Sequence, residues 1–162
     1  MTKYLFPLIF CLPLLVWAQE TEKKIFVKLI NEPIVVDGDL SEPIWQEAGA
    51  AENFQQYFPS DSILAKQQTQ IKMLYDNSTL YLGVTVYSSG NQYIIPSLQR
   101  DFRAGNNDNI SFLFDTFKDG TNAFLFGTNP LGVRREALIT GGGADLSGFT
   151  TSWDVKWRGE TK

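Results

Sequence analysis

Five aspartates in the second half of the sequence are the residues best suited to metal chemistry. They fall in turns or at strand ends, at Asp101, Asp108, Asp115, Asp119 and Asp145. Calcium takes about six to eight oxygen ligands, so these carboxylates, and first among them Asp101, Asp108 and Asp115, are candidate calcium ligands. The sequence holds no D-x-[DN]-x-[DN]-G calcium loop, and aspartates of this kind also serve as solvated turn residues. Both interpretations stay open at this point.

Most nucleophilic and zinc-based catalysis is excluded by the residues that the sequence lacks. It contains no His and a single Cys, Cys11, so a Ser-His-Asp triad, a zinc site of His and Cys, and a disulfide are all excluded. A glycosidase needs two carboxylates about 5 Å or about 6.5–9.5 Å apart across a cleft, and aspartates on the turns of a thin sandwich offer no clear cleft. We therefore predict no catalytic residues and no enzyme activity in this chain.

Residues 1–19 have the composition of a secretory signal peptide. Lys3 precedes a short apolar run that ends near Ala18, as signal peptides do. The run is shorter than the ~20 residues of a membrane-spanning helix and contains Pro7 and Pro13, which disfavours a membrane anchor. We therefore predict an exported protein, located in the periplasm, at the outer membrane or outside the cell.

The charge balance argues against a nucleic-acid partner. Removal of the signal peptide takes away one of the 14 basic residues and leaves 13 against 18 acidic ones, so the net charge changes from −4 to −5. Binding to a phosphate backbone requires clustered Lys and Arg, and no such cluster is present. We predict no nucleic-acid partner.

Alternating apolar and polar residues predict a chain made mostly of β-strands. Strands are expected over residues 25–30, 34–36, 70–75, 79–87, 109–115, 122–128, 133–139 and 153–157. In the first strand of the hairpin over 70–87, the alternation places Ile71, Met73 and Tyr75 on one side and Gln70 and Lys72 on the other. In the second strand it places Leu80, Leu82, Val84 and Val86 inward and Tyr81, Thr85 and Tyr87 outward. The segment 88–107 is polar and is predicted to be a long loop.

One short helix is predicted over residues 41–48, with Asp39 or Ser41 as its cap and Trp45 on its apolar face. Many short strands and one short helix are typical of an all-β fold. We therefore expect an antiparallel β-sandwich of the jelly-roll or immunoglobulin-like type. The last predicted strand leaves a sheet edge unpaired, so we expect the domain to continue past Lys162.

Four stretches, taken together, resemble the family 9 carbohydrate-binding modules. They read IVVDGDLSEPIW over 34–45, YDNSTLYLG over 75–83, DNISFLFD over 108–115 and FGTNPLG over 126–132. The resemblance is greatest to the amino-terminal sandwich of large exported Bacteroidetes-type proteins, in which a predicted outer-membrane barrel follows. It divides the chain into the signal peptide, a lead-in and first strand over 20–33, and the module over 34–162.

The resemblance implies a non-catalytic carbohydrate-binding module in a larger protein linked to carbohydrate catabolism, and family members also hold calcium. Five signature residues are expected to have structural roles, namely Asp37, Gly38, Trp45, Asp76 and Asn129. The sequence departs from the sugar-binding members of the family because the loop 104–107, just before Asp108, contains no aromatic residue, and because Ser111 and Gly127 replace an acidic residue and an arginine. The rings and donors available instead are Tyr93, Arg100, Phe102, Arg103 and Trp153.

The resemblance leaves two functions open, each with its own partner. In the first, the domain binds a glycan through the rings and donors of the 91–109 loop. In the alternative, it is a structural or interaction domain that has lost its sugar site and packs on the remainder of its own chain, an outer-membrane barrel, or on an envelope partner.

Overall fold

Two four-stranded sheets make up the fold. The computed structural model describes residues 23–90, 92–143 and 148–162. These residues form an all-β sandwich, so the predicted fold class is confirmed. The predicted signal peptide and Asp145 lie outside the described residues. No helix in the described part of the chain is long and apolar enough to cross a membrane.

The first sheet consists of β1 (Lys28–Leu29), β2 (Ala50–Ala51), β3 (Gln68–Tyr75) and β4 (Leu80–Tyr87). Strand β4 pairs antiparallel with the whole length of β3. The other edge of β3 is shared, because β2 pairs antiparallel with it near its middle and β1 pairs parallel with it at its end. Both edges of β3 are therefore occupied.

The second sheet consists of β5 (Ile110–Phe114), β6 (Ala123–Thr128), β7 (Arg134–Ile139) and β8 (Phe149–Thr150), in that order. All of its pairings are antiparallel. Phe112 lies opposite Phe126, and Phe114 lies opposite Phe124. The alternation in the sequence predicted this shared aromatic face.

The turn between β3 and β4 is built around Asp76. Its carboxylate accepts hydrogen bonds from the backbone N–H of Ser78 at 2.7 Å and of Thr79 at 2.8 Å, and from the Tyr81 hydroxyl at 2.8 Å. The Ser78 N–H, followed by the Tyr81 hydroxyl, holds the pKa of Asp76 below its usual value. The hydrogen bond to Asp76 also raises the pKa of Tyr81, because deprotonation of the tyrosine would place two anions side by side. The hairpin predicted over 70–87 is confirmed.

The predicted helix is shorter than expected. Helix α1 (Ile44–Glu47) is a single turn; Pro43 occupies its N-cap position and no side chain caps it. The expected cap at Asp39 or Ser41 is therefore wrong. The Asp39 carboxylate instead pairs with the ammonium of Lys162 at 2.5 Å, which lowers the pKa of Asp39.

Three predicted strands differ in the structure. Of residues 25–30, only Lys28–Leu29 forms a strand, and residues 34–36 form none. Ile34 instead packs against the apolar cluster that contains Trp45 and Leu74. Residues 153–157 also form no strand. The edge of β7 is taken by β8, and Trp153 and Trp157 pack against Phe126 instead.

The most buried part of the first sheet lies on the face that the alternation predicted to be outside. Leu74 has no exposed surface and Trp45 has 2%, and both belong to one apolar cluster with Ile30 and Ala48. Tyr81, predicted to face outward, packs against this cluster. The prediction failed because the segment before β2 folds back over that face, which the pattern within one strand does not reveal.

Candidate functional site

A polar trough follows one face of β3 and β4. It consists of two adjoining depressions of about 340 Å³ and 220 Å³ that share Gln70 and Tyr87, and we call it the Tyr87 trough. The larger depression is also lined by Leu40, Trp45, Gln46, Lys72 and Thr85. The smaller one is also lined by Glu52, Asn53, Gln68 and Thr69.

Strand register places the trough residues in rows. Lys72 lies opposite Gly83 on β4 and Ala50 on β2. The next row along the same face pairs Gln70 with Thr85. Since alternate residues of a strand share a face, Lys72 and Gln70 point into the same depression.

Trp45 forms the wall at one end of the trough. A Cβ at Gly83 would lie 2.8 Å from the Trp45 ring, so the indole sits directly on the bare backbone of β4. The ammonium of Lys72 donates a hydrogen bond to the Trp45 carbonyl oxygen at 2.8 Å. Together these contacts fix the helical turn α1 against the sheet.

Tyr87 lies at the opposite end of the trough and is 58% exposed. Strand register places it beside Gln68. In the adjacent row the Gln70 amide donates to the Glu52 carboxylate. The trough therefore combines an accessible aromatic ring with side-chain amides, a hydroxyl and one ammonium, which are the groups that recognise a hydroxyl-rich ligand.

The five ligand residues predicted from the sequence do not form one site. Arg100 is held by the carboxylates of Glu136 and Asp154, the latter at 2.8 Å. Among the described residues, no hydrogen bond, ion pair or ring contact links Tyr93 or Arg103 to the other three. Both of these side chains are exposed.

Two of the five predicted ligand residues are packed inside the fold. Phe102 is 6% exposed, and the guanidinium of Arg135 lies 5.7 Å from its ring centroid. The expectation that Phe102 offers a ring to a sugar is therefore corrected, because its face is covered. Trp153 stacks on Phe124 with ring centroids 5.0 Å apart and belongs to the aromatic face of the second sheet.

Sequence reasoning missed the polar cluster around Glu136. Its side chain is 1% exposed and accepts hydrogen bonds from Arg100 and from the Trp157 indole N–H. The hydrogen bond between Arg100 and Asp154 raises the pKa of the arginine and lowers that of the aspartate. The only sequence signal for this cluster is an acidic residue, Glu136, within the strand predicted over 133–139.

The predicted calcium ligands do not converge. Asp101 accepts the Glu136 N–H at 2.9 Å, and Asp108 accepts the Ile94 N–H at 2.8 Å. Asp115 accepts a hydrogen bond from the backbone N–H of Gly120 at 2.9 Å. Across the described ranges, no group of three or more His, Cys, Asp or Glu residues is arranged to hold a metal ion. The expectation of a calcium site at Asp101, Asp108 and Asp115 is corrected accordingly, since each carboxylate accepts a hydrogen bond from a different part of the backbone.

The signature residues lie at turns and in the core. Asp37 accepts the Asp39 N–H at 2.9 Å, and Gly38 has a φ of +80°, which suits glycine. Asn129 is 1% exposed, and its side-chain oxygen accepts the N–H groups of Leu131 and Val133, each at 3.0 Å. Trp45 and Asp76 have the core and turn contacts already described.

The sequence pattern gave part of the trough. The alternation placed Gln70 and Lys72 on one face of β3, and Thr85 and Tyr87 on one face of β4. It did not show that these two sets are neighbours or that Trp45 closes one end. No family model, curated protein or solved structure matches this chain.

Proposed function

We propose that this protein is a non-catalytic glycan-binding module of an exported protein, and that it binds sugar in the Tyr87 trough. The observation that carries the proposal is an exposed tyrosine ring at the end of a row of polar side chains on a rigid sheet. The apolar face of a pyranose packs on such a ring, and its hydroxyls pair with amides that both donate and accept.

The strand positions of the trough residues support a preformed site. Gln68, Gln70 and Lys72 are alternate residues of one strand, with a rise of about 3.3 Å per residue, so they span about 13 Å. That length exceeds one pyranose ring and suits an oligosaccharide. Because these residues stand on paired strands, their backbone requires little ordering when the ligand binds.

Titration calorimetry of the complete chain against a panel of plant, algal and microbial oligosaccharides tests the proposal. We expect saturable heats with at least one oligosaccharide and no release of new reducing ends on prolonged incubation. Flat heats across the whole panel contradict glycan binding. New reducing ends contradict a non-catalytic role.

A second candidate function is an interaction domain that packs on an outer-membrane barrel or another envelope partner. The observation that favours it is a pair of adjacent exposed rings, Tyr57 at 95% and Phe58 at 83%. They lie at the tip of a ribbon closed by the pairing of Gln55 with Leu64. Exposed apolar surface of this kind is typical of protein contacts. Co-purification with the remainder of its chain that is unaffected by sugar, and is lost when both rings are changed to serine, favours this function.

A further inference from the structure

The ammonium of Lys72 is the unusual group in the Tyr87 trough. It is half-buried and uses one of its three donors on the Trp45 carbonyl oxygen at 2.8 Å. In the part of the chain that the structure describes, no Asp or Glu oxygen forms an ion pair with it. Its remaining donors are therefore available to an anionic group of a ligand.

The neighbours of Lys72 leave the ammonium accessible from the trough. Its row is completed by Gly83 and Ala50, neither of which carries a side chain long enough to cover it. Gln46, Gln70 and Thr85 line the same depression and add hydrogen-bond donors around the charge. An ammonium surrounded by neutral donors is the arrangement that recognises a carboxylate or a sulfate group.

The two ends of the trough differ in charge. Lys72 lies at the Trp45 end, whereas Glu52 lines the depression at the Tyr87 end and accepts from Gln70. An anionic group is therefore favoured near Trp45 and disfavoured near Glu52. This asymmetry orients a ligand that carries a charge on one sugar only.

We propose that the Tyr87 trough takes an acidic glycan, with a uronate carboxylate or a sulfate ester paired with the Lys72 ammonium and a neutral sugar against Tyr87. This inference rests on the proposed glycan-binding function and names its ligand class. Loss of a charge-assisted hydrogen bond corresponds to roughly a 10- to 100-fold loss of affinity.

The test is calorimetry with the complete chain and matched sets of oligosaccharides. Each set holds an oligosaccharide of neutral sugars with one terminal uronate, the same oligosaccharide with that carboxylate reduced to an alcohol, and a form of the reduced one with a single sulfate on the same terminal sugar. Galacturonate, glucuronate and mannuronate are each used as the terminal uronate. We expect tighter binding of an acidic form than of its reduced counterpart, and weakening of that preference by added salt.

Three variants assign the preference to Lys72. Lys72→Gln is expected to weaken acidic binding roughly 10- to 100-fold and to weaken binding of the reduced oligosaccharide much less. Lys72→Arg keeps the charge and is expected to keep the preference. Lys66→Gln removes an exposed lysine outside the trough and is expected to have no effect. Thermal unfolding of each variant verifies that it is folded.

Each outcome separates the two proposals. Equal affinity of the wild type for acidic and reduced forms overturns the acidic-glycan inference and leaves glycan binding intact. An acidic preference that survives Lys72→Gln overturns the assignment to this trough. No binding in any set overturns both, and binding of only the sulfated or only the uronate form identifies which anion the trough accepts.

Discussion

The indole ring of Trp45 rests on Gly83, so close that a Cβ at Gly83 would lie 2.8 Å from the ring. This contact fixes the single turn of helix α1 on the first sheet and forms one end of the Tyr87 trough. The core of the sheet and the proposed binding site therefore share one residue. A substitution at Gly83 on β4 therefore tests the packing of the core and of this end of the trough.

Gly83→Ala is expected to destabilise the protein, because the added methyl group has to displace a ring that is 2% exposed. Overpacking of this kind costs about 1–3 kcal/mol, measured as the change in the free energy of unfolding in urea. Gly105→Ala is the matched control, because a Cβ at Gly105 meets no atom within 4 Å. An equal effect of both variants would contradict the packing described for Trp45.

Leu74 and Leu80 distinguish the buried face of β3 and β4 from the face that the alternation predicts. Leu74 has no exposed surface, whereas Leu80 is 45% exposed. Leu74→Ala is therefore expected to cost about 2–5 kcal/mol, and Leu80→Ala much less. Urea unfolding of both variants measures the difference. If Leu80→Ala proves the more costly, the inward face is the one that the sequence predicts.

The sequence predicts the long strands well and the short pairings poorly, for a physical reason. Strands β3 to β7 alternate over five to eight residues, which is enough for a period of two to be visible. Strands β1 and β2 have two residues each, which is too short for alternation to be visible. Their pairing depends on which edge of β3 is free, and this follows from the fold as a whole.

The candidate site was predicted in part. Gln70 and Lys72 were placed together by alternation, but the sequence interpretation looked for ligand residues in the 91–109 loop. In the structure Phe102 from that loop is 6% exposed, and Arg100 is tied to Glu136. The sequence does not reveal that Glu136 binds Arg100, because the two residues lie 36 positions apart along the chain.

Tyr87→Ala and Tyr93→Ala separate the trough from the loop as the sugar-binding surface. Both rings are exposed, Tyr87 at 58% and Tyr93 at 45%, so neither change is expected to unfold the protein. Tyr87→Ala is expected to weaken glycan binding about tenfold or more, because the ring supplies the apolar contact surface. Tyr93→Ala is expected to leave the affinity unchanged. The opposite result in calorimetry would return the site to the 91–109 loop.

Glu136→Ala is expected to loosen the segment that carries Trp157. The substitution removes the acceptor of the Trp157 indole N–H and of Arg100, and loss of hydrogen bonds to a buried charged group costs about 1.5–3 kcal/mol. Urea unfolding measures the stability, and tryptophan fluorescence reports the exposure of the indole. Asp154→Asn is the control, since the Asp154 side chain is 73% exposed and its loss is expected to have a much smaller effect. Equal effects would contradict a central role for Glu136.

Asp76 is expected to make the stability of the protein fall in acid. Hydrogen bonds from the Ser78 N–H and from the Tyr81 hydroxyl lower the pKa of Asp76 in the folded state. An aspartate in the unfolded chain has a pKa of about 3.9. The stability gained from a lowered pKa is fully present above the unfolded value and is lost as the pH falls through the folded one.

Asp76→Asn, which keeps one side-chain oxygen but carries no charge, is therefore expected to unfold at a lower temperature than the wild type at neutral pH. The difference between the two should shrink below about pH 3.9, because the wild-type carboxylate then becomes protonated as well. Tyr81→Phe, which removes one donor to Asp76, is expected to reduce the same acid dependence in part. Thermal unfolding from pH 7 to pH 2 measures all three proteins. A difference between wild type and Asp76→Asn that stays constant over this range would contradict a lowered pKa at Asp76.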